Sequence, residues 1–242
     1  MSFQPQQSPE TSSAAGENLS VVRTREGIHT VYSPGHKEHY HLMSGSLAES
    51  MHVFIRNGLL SLPKKKKNIR ILEIGFGTGL NAILTFRENQ VLQKKIHYTA
   101  VEAFPLPDAI IDKLNYFEYF GKPLRPIFRE MHACAWMENV RFLQAESSKA
   151  SFVLHKIESD LLELRLDGAF DLVYYDAFSP ARQPELWSFE ALHKIHEACR
   201  KGAVLVTSCA KDDVVQTLEA IGFDVKLIPG PTEKRNMIHA TK

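Results

Sequence analysis

A glycine-rich turn carries the clearest chemical signal in the sequence. Gly75, Gly77 and Gly79 occupy every second position within Leu72–Asn81, after an apolar run and before a helical pattern. Glycine lets a backbone approach a ligand closely, and open α/β sheets bind ligands at the carboxyl ends of their strands. The spacing differs from the G-x-G-x-x-G of dinucleotide enzymes, and no Lys-Ser or Lys-Thr pair follows as in a phosphate-binding loop. The pattern predicts a cofactor-binding turn, with a tight turn that binds nothing as the alternative.

Acidic residues stand near this turn in the predicted fold. Glu73 lies inside the motif, and Glu102 ends the next apolar run, where a carboxylate can accept hydrogen bonds from both hydroxyls of a ribose. Asp160 follows a third apolar run, where it can hold an adenine amino group or, as the alternative, cap a helix. Together with Asn81 and Leu161, these acids predict a site for a cofactor that contains a nucleoside.

A second stretch with chemical potential, Tyr174–Pro180, ends a fourth apolar run. Asp176 can hydrogen-bond an incoming ammonium and help it lose a proton, because only the neutral amine has a lone pair for attack. Phe178 can form a wall of the reaction site, and Pro180 completes a polar–aromatic–proline pattern that many amine methyltransferases place here. We therefore predict that Asp176, Phe178 and Pro180 form the catalytic part of the site.

Three aromatic residues around this stretch have a structural interpretation instead. Trp187 is predicted to be a core aromatic beneath the loop. One of Tyr174 and Tyr175 is predicted to belong to the core, because alternate residues of a strand face opposite sides.

The elements that must position these residues alternate between strands and helices. The predicted strands are apolar and rich in β-branched residues: Ile69–Ile74, Ile96–Glu102, Ser151–Ile157, Phe170–Asp176 and Ala203–Ser208. The helical patterns between them are Leu80–Asn89, Pro107–Leu114 and Ser188–Cys199. Such alternation indicates a mostly parallel sheet covered on both faces. Two closing runs, Phe223–Ile228 and Asn236–Ala240, predict an antiparallel hairpin at the sheet edge. The fold class is therefore α/β and Rossmann-like, the arrangement of class I S-adenosylmethionine methyltransferases.

The N-terminal part of the chain differs in composition. Residues 1–18 are polar and are predicted to form a mobile tail, because such a segment buries too little surface to offset its ordering entropy. Residues 19–62 are predicted to form a hairpin and a helix that stops at Asn57-Gly58, and residues 63–242 the Rossmann-like domain.

Composition narrows the class of protein further. A chain of 242 residues that is 44% hydrophobic can bury the core of one domain. Its net charge of +1 means that nucleic-acid binding would need a local basic face. Cys134, Cys199 and Cys209 have no C-x-x-C spacing, which predicts a reducing compartment and no zinc site built from cysteine. With no signal-peptide pattern and no membrane-spanning run, we predict a cytoplasmic protein.

Three histidines, His36, His39 and His41, alternate with other residues in the N-terminal region. Without a matching cysteine or carboxylate partner, this pattern predicts a polar loop on the substrate side and no metal.

Four motifs occur in chain order that together resemble one family. They are Phe76–Asn81, Glu102–Leu106, Asp176–Pro180 with Pro184–Trp187, and Lys234–Met237. In this combination the chain resembles the methyltransferase domain of the tRNA 5-methylaminomethyl-2-thiouridine-forming (MnmC-type) enzymes, without their flavin-dependent oxidase domain. The resemblance extends to Val31–Ser33 and covers nearly everything after the N-terminal tail.

The resemblance implies S-adenosylmethionine as cofactor and tRNA as partner. The expected reaction converts 5-aminomethyl-2-thiouridine at the wobble position to 5-methylaminomethyl-2-thiouridine. By resemblance, the three glycines of the turn, Glu102 and Asp160 would bind the cofactor, and Asp176 would hold the amine. A base in the anticodon loop is already unpaired, so moving it into a crevice costs less than extracting one from a duplex.

Affinity for RNA would come from contacts between basic side chains and phosphates. Tyr32, Arg182, Lys234 and Arg235 are the predicted substrate-side residues. Lys64–Lys67 and Lys94–Lys95 are further candidates, although a lysine run is more often a solvated linker.

Two other functions remain as alternatives. A polyamine aminopropyltransferase has the same glycine motif and an Asp after its fourth strand, but the Phe-Ser-Pro and Pro-Glu-Leu-Trp segments favour the tRNA enzyme. A non-catalytic scaffold has no need of a carboxylate such as Asp176 at the transfer point. The sequence predicts neither the oligomeric state nor which tRNAs are modified.

Overall fold

The computed structural model describes residues 18–142, 150–231 and 235–242. The chain begins there with a small antiparallel sheet of three strands, β1 (Ser20–Arg23), β2 (His29–Ser33) and β3 (Glu38–His39). Helix α1 (Ser46–Ser50) follows and continues as a π-helical turn over Met51–Arg56. The predicted hairpin and helix are thus present, and the helix ends directly before Asn57-Gly58.

The rest of the structure is built on an eight-stranded sheet. Its strands, in chain order, are β4 (Asn68–Ile74), β5 (Lys95–Glu102), β6 (Asn139–Phe142), β7 (Ser151–Glu158), β8 (Phe170–Tyr175), β9 (Cys199–Thr207), β10 (Asp224–Pro229) and β11 (Asn236–Thr241). The order across the sheet is β10-β11-β9-β8-β4-β5-β7-β6.

Helices connect these strands. In chain order they are α2 (Leu80–Leu92), α3 (Asp108–Ile111), α4 (Phe117–Phe120), α5 (Arg125–Ala133), α6 (Phe189–Ala198) and α7 (Asp212–Ile221). Short 3₁₀ turns occur at Leu59–Ser61, Lys122–Leu124 and Pro184–Trp187.

The predicted fold class is confirmed. The five central strands β9, β8, β4, β5 and β7 are parallel, and β10 and β11 add an antiparallel hairpin at one edge. Ile74 pairs with Tyr175 on one side and with Val101 on the other, so the carboxyl ends of the three central strands meet. A Rossmann-like sheet binds its ligand at these carboxyl ends.

The other edge of the sheet was not predicted. Strand β6 pairs antiparallel with β7 and is preceded by the amphipathic helix α5. At four residues β6 is too short for its alternation to stand out from a loop, so tertiary pairing decides its conformation.

Two apolar cores lie on opposite faces of the sheet. Tyr174 belongs to the core that also contains Phe54 of the N-terminal element, and Tyr175 belongs to the core that contains Trp187. Both tyrosines are therefore buried, because helices or the N-terminal element cover both faces. Since residues 19–62 share a core with the sheet, their separation at residue 63 as a domain boundary stays a prediction.

Two features of the sequence analysis concern membrane-spanning segments and the N-terminal tail. No helix among the described residues is long and apolar enough to cross a membrane. The predicted mobile tail lies, apart from Asn18, outside the described residues.

Candidate active site

A cavity of about 780 Å³ opens at the carboxyl ends of the central strands. The glycine-rich turn and Glu102 form one wall, and Asp176 with Phe178 forms another. The segment His36–Met43 and Glu49 from helix α1 close a third side. The fold thus brings the N-terminal element and the sheet together around one cavity.

The turn after β4 needs glycine for close approach. Gly75 has a φ of +89°, donates its N–H to the Val101 carbonyl at 2.9 Å, and would place a Cβ only 2.8 Å from the Asp176 carbonyl oxygen. Gly77 has a φ of +49°, and a Cβ there would lie 3.0 Å from the Tyr40 ring. The backbone therefore passes between β8 and the N-terminal element with no room for side chains.

Glu102 anchors the same turn. Its Oε2 accepts the Gly77 N–H and its Oε1 accepts the Phe104 N–H, each at 2.9 Å. Burial raises the pKa of Glu102, while hydrogen bonds from backbone N–H groups oppose that rise. Each carboxylate oxygen has a second lone pair, so Glu102 retains acceptor capacity for a diol in the cavity that it lines.

Asp160 and Leu161 extend the cavity beyond β7. Both residues line it, and the Leu161 side chain is buried. Asp160 is exposed and its Oδ1 accepts the Leu162 N–H at 2.8 Å, so its carboxylate also caps a turn. The capping role that the sequence left open is therefore present, in a turn rather than a helix.

A chain of polar side chains leads from β4 to the end of β8. The Asn81 amide donates to Glu73 Oε1 at 3.0 Å and to Asp176 Oδ2 at 2.8 Å. Burial, followed by the negative charge of Glu49, raises the pKa of Asp176 to about 8, and the Asn81 hydrogen bond opposes this rise. Burial and the charge of Asp176 raise the pKa of Glu73 as well. Asp176 is therefore poised to gain or lose a proton near neutral pH.

The loop after Asp176 is held by residues far away in sequence. The Phe178 ring stacks on His36 at 4.3 Å between ring centroids, and the Tyr40 ring meets its edge at 5.0 Å. Ser179 donates its N–H at 3.1 Å and its hydroxyl at 2.9 Å to Glu38 Oε2. The N-terminal element therefore fixes the loop that carries the aromatic wall.

Trp187 supports this loop from the core. Its side chain is buried against Tyr175, with ring centroids 5.0 Å apart, as the sequence predicts. Its indole N–H also donates to the Phe178 carbonyl at 2.7 Å.

Some predicted site residues do not line the cavity. Glu73 is fully buried behind its wall, and Gly79 begins helix α2 beside His132. Pro180 and the exposed Arg182 lie beyond the lining, and Tyr32 packs on His39, which does line it. Arg235 lines the cavity, whereas Lys234 lies outside the described residues.

The lysine-rich candidates lie at the amino ends of the strands, whereas the cavity lies at the carboxyl ends. Lys67 and Lys95 stand at the amino ends of β4 and β5, and the seven residues of β4 separate them from the cavity by about 20 Å. Lys66 pairs with Asp171 at 2.8 Å, and Lys94 donates to the Lys64 carbonyl, so two of these lysines have internal partners.

The sequence analysis missed Glu49, Glu38 and Tyr40. All three line the cavity, but each interacts there with a residue far away in sequence, either in the loop after β8 or in the glycine turn. No local spacing marks such residues. One available signal was Glu49 itself, a carboxylate within an apolar helical pattern. Among residues 18–142, 150–231 and 235–242, no group of three or more His, Cys, Asp or Glu side chains is arranged to hold a metal.

Comparison with known proteins defines the class. Residues 124–242 match a family model described as S-adenosyl-L-methionine-dependent methyltransferase. This match covers just under half of the chain and agrees with the predicted S-adenosylmethionine cofactor.

Two curated relatives of the chain have a more specific name than the family model. The chain is 31% identical, over 87% of its length, to the tRNA 5-methylaminomethyl-2-thiouridine biosynthesis bifunctional protein MnmC of Paracidovorax citrulli. It is 32% identical, over 82% of its length, to the protein of the same name in Aromatoleum aromaticum. It covers 34% and 32% of these two proteins, so the chain spans about a third of the length of these curated relatives. The MnmC-type resemblance drawn from the four motifs is thereby confirmed.

Solved structures confirm the fold. MnmC2 from Aquifex aeolicus aligns with a TM-score of 0.73 at 23% identity, covering 96% of this chain and 71% of that one. Spermidine synthase from Thermotoga maritima aligns with a TM-score of 0.54 at 11% identity, also covering 96% of this chain and 71% of that one.

The cavity fits the cofactor of this family. The two glycines that line it leave the space that a Cβ would fill, and Glu102 offers acceptors for the ribose hydroxyls. Leu161 adds an apolar surface next to Asp160. These are the residue types that a nucleoside with a ribose and a flat base requires.

Proposed function

We propose that this protein methylates the aminomethyl nitrogen of a modified wobble uridine in tRNA, with S-adenosylmethionine as methyl donor. The substrate would be 5-aminomethyl-2-thiouridine and the product 5-methylaminomethyl-2-thiouridine. The names of the MnmC relatives and their similarity over most of this chain support the choice of substrate.

The observation that carries the proposal is the position of Asp176. Its carboxylate lines the cavity, its own carbonyl lies against Gly75, and Asn81 links it to the helix that begins after the glycine turn. A carboxylate whose pKa is raised to about 8 can hold an ammonium and accept its proton near neutral pH. Amine methylation needs this proton transfer, because an ammonium has no lone pair.

The chain's other residues would divide the remaining tasks. Gly75, Gly77, Glu102 and the Asp160–Leu161 pair would hold the cofactor. When bound, this cofactor supplies a methyl group on a positively charged sulfur, which keeps the bonding electrons when the methyl leaves. Phe178, held by His36 and Tyr40, would exclude water beside the amine.

The tRNA would approach through its anticodon loop. A wobble base is unpaired and can be splayed into a cavity at small cost. Arg235 and Lys211 line the cavity as exposed cations, and Lys37 and Arg182 are exposed near its N-terminal and loop walls, so phosphates would find positive charge at this face. A tRNA-modifying role is also the basis on which we propose a cytoplasmic location.

Mass spectrometry of nucleosides tests this function directly. Purified protein, S-adenosylmethionine and tRNA that contains 5-aminomethyl-2-thiouridine should yield 5-methylaminomethyl-2-thiouridine. The small-amine alternative is tested in the same assay by offering diamines in place of tRNA. Methylation of neither the nucleoside nor the amines would overturn the proposal, and transfer to the amines alone would favour the alternative.

A further inference from the structure

A second carboxylate, less exposed than that of Asp176, lines the same cavity. Glu49, on helix α1 of the N-terminal element, is only 7% exposed and lines the cavity. From Glu49 and Asp176 we infer a two-carboxylate subsite that binds the substrate's amine as an ammonium ion and receives its proton. This inference rests on the proposed amine methylation and adds to it a residue from outside the Rossmann-like fold.

The position of Glu49 is set by contacts from its own region and from the sheet. Its Oε2 accepts the Leu42 N–H at 2.7 Å, and the Ser208 side chain after β9 donates to it as well. Glu26 accepts the N–H groups of Leu47 and Ala48 at 3.1 and 3.4 Å and so holds the start of α1. The carboxylate is therefore held at the cavity wall rather than free to turn into solvent.

Electrostatics favours a cation between the two groups. Burial is the main cause that raises the pKa of Glu49, to about 7, and the Glu49 charge in turn raises that of Asp176. Two interacting carboxylates in a cavity with little solvent are costly to ionise together, and an ammonium ion between them removes that cost.

Other charged groups around the subsite shape this balance. Arg235 opposes the rise in the pKa of Glu49 but is exposed, so solvent weakens its effect. Lys211 is a second exposed cation at the cavity, and the buried Glu73 and the half-buried Glu102 add carboxylates beyond Asp176. His41 lines the cavity with a pKa lowered by burial to about 4 and so stays neutral. The buried charges near the pair are thus acidic, which suits a cationic ligand.

The subsite also gives the ammonium proton a place to go. One N–H bond of the ammonium breaks, its electrons stay on nitrogen as the lone pair, and the proton passes to a carboxylate oxygen of Glu49 or Asp176. The protonated carboxyl then returns the proton to water as product leaves. No other reactant is needed for this step.

The binding test uses sinefungin, a cofactor analogue that carries a primary ammonium at the transfer position, against S-adenosylhomocysteine, which has none. Calorimetry should show that Glu49→Gln lowers the affinity for sinefungin by about tenfold or more while that for S-adenosylhomocysteine stays unchanged. Asp176→Asn should behave in the same direction. The affinity of the wild type for sinefungin should rise with pH as Glu49 and Asp176 lose their protons. In Glu49→Gln this rise in affinity should occur at a different pH.

Matched controls separate charge from packing. Glu163→Gln makes the same chemical change at an exposed residue outside the cavity and should leave both affinities unchanged. If Glu49→Gln fails to bind S-adenosylhomocysteine, Glu49→Asp replaces it, and its pH profile should shift while binding of sinefungin persists.

The outcomes distinguish this inference from the function on which it rests. If the wild type transfers no methyl group to 5-aminomethyl-2-thiouridine tRNA, the proposed function fails. If the wild type methylates that tRNA and Glu49→Gln keeps both the single-turnover rate and the sinefungin preference, the two-carboxylate subsite alone is overturned.

Discussion

The Asn81 amide lies 2.8 Å from Asp176 Oδ2 and joins residues 95 positions apart. Asn81 belongs to the first turn of the helix that follows the glycine motif, and Asp176 directly follows the neighbouring strand β8. A hydrogen bond therefore joins the glycine-rich motif directly to the motif that contains Asp176. In the proposed function, a change in this contact would act on both the cofactor side and the amine side of the cavity.

Removing the Asn81 donor should shift the pH dependence of activity. The Asn81 hydrogen bond favours the ionised form of Asp176, so Asn81→Ala should raise the pKa of that carboxyl further. If the ionised form holds the amine, the acid limb of the single-turnover pH–rate profile should move to higher pH. An unmoved limb, with the variant still folded, would mean that Asp176 does not control the rate.

Replacing Asp176 itself should separate chemistry from cofactor binding. Asp176→Asn keeps the shape of the cavity, and we expect turnover to fall by about 10²-fold or more while cofactor affinity stays nearly intact. Raising the pH should restore part of the rate, because bulk base then supplies neutral amine. A loss of stability and of cofactor affinity with no rescue would instead indicate that Asp176 only caps its strand.

The same variant should change how stability depends on pH. Asp176 and Glu49 have pKa values of about 8 and about 7 in the folded protein against usual values of 3.8 and 4.5. The folded state thus holds protons that the unfolded chain releases, so their contribution is present at low pH and is lost as the pH rises through the folded values. Melting curves should show that Asp176→Asn gains stability relative to the wild type as the pH rises from about 4 to about 8, between the unfolded and folded pKa values of Asp176. Parallel curves for the two proteins would contradict this.

Loss of the Glu102 carboxylate should weaken cofactor binding. We expect Glu102→Ala to reduce the binding free energy of S-adenosylhomocysteine by about 1–3 kcal/mol, the scale for unmade hydrogen bonds to a charged group. The variant also frees the Gly77 and Phe104 N–H groups, so Glu102→Gln, which keeps the shape, is the comparison. An unchanged dissociation constant in a folded Glu102→Ala protein would exclude the ribose role.

The two glycines that line the cavity should respond differently to alanine. Each has a positive φ, which costs an alanine about 1–2 kcal/mol. At Gly75 the new Cβ also meets the Asp176 backbone at 2.8 Å, whereas at Gly77 it meets the Tyr40 side chain at 3.0 Å, which can move. Gly75→Ala should therefore lose more thermal stability and more cofactor affinity than Gly77→Ala. The reverse order would mean that the Tyr40 contact is the more rigid one.

RNA binding should depend on the face around the cavity. We expect tRNA affinity to fall with salt, and Arg235→Ala to reduce the slope of log K against log salt by about one contact. Lys65→Ala removes a charge that is also exposed but lies near the amino end of β4, away from the cavity. This variant should change the slope less. Equal effects of the two variants would show that the RNA extends around the sheet.

Local sequence patterns are sufficient to predict the fold class, the glycine-rich turn and the candidate amine residue. Glycine spacing, apolar strand runs and the acid after each strand are local patterns, and the parallel sheet follows from their alternation. For this reason Gly75, Gly77, Glu102 and Asp176 were predicted and do line one cavity.

The other groups that reach the cavity follow from the packing of distant elements, which local patterns do not predict. Glu49 and Glu38 belong to an N-terminal element whose packing against the sheet no local pattern encodes. Glu38 accepts a hydrogen bond from the Ser179 hydroxyl, and the charge of Glu49 raises the pKa of Asp176, both across more than a hundred residues. In the same way, Lys64–Lys67 form a basic run in sequence, but the direction of β4 places them about 20 Å from the cavity. Short-range spacing sets strands and turns, whereas the approach of distant side chains depends on how whole elements pack. The packing of the N-terminal element therefore decides which charged side chains reach this site.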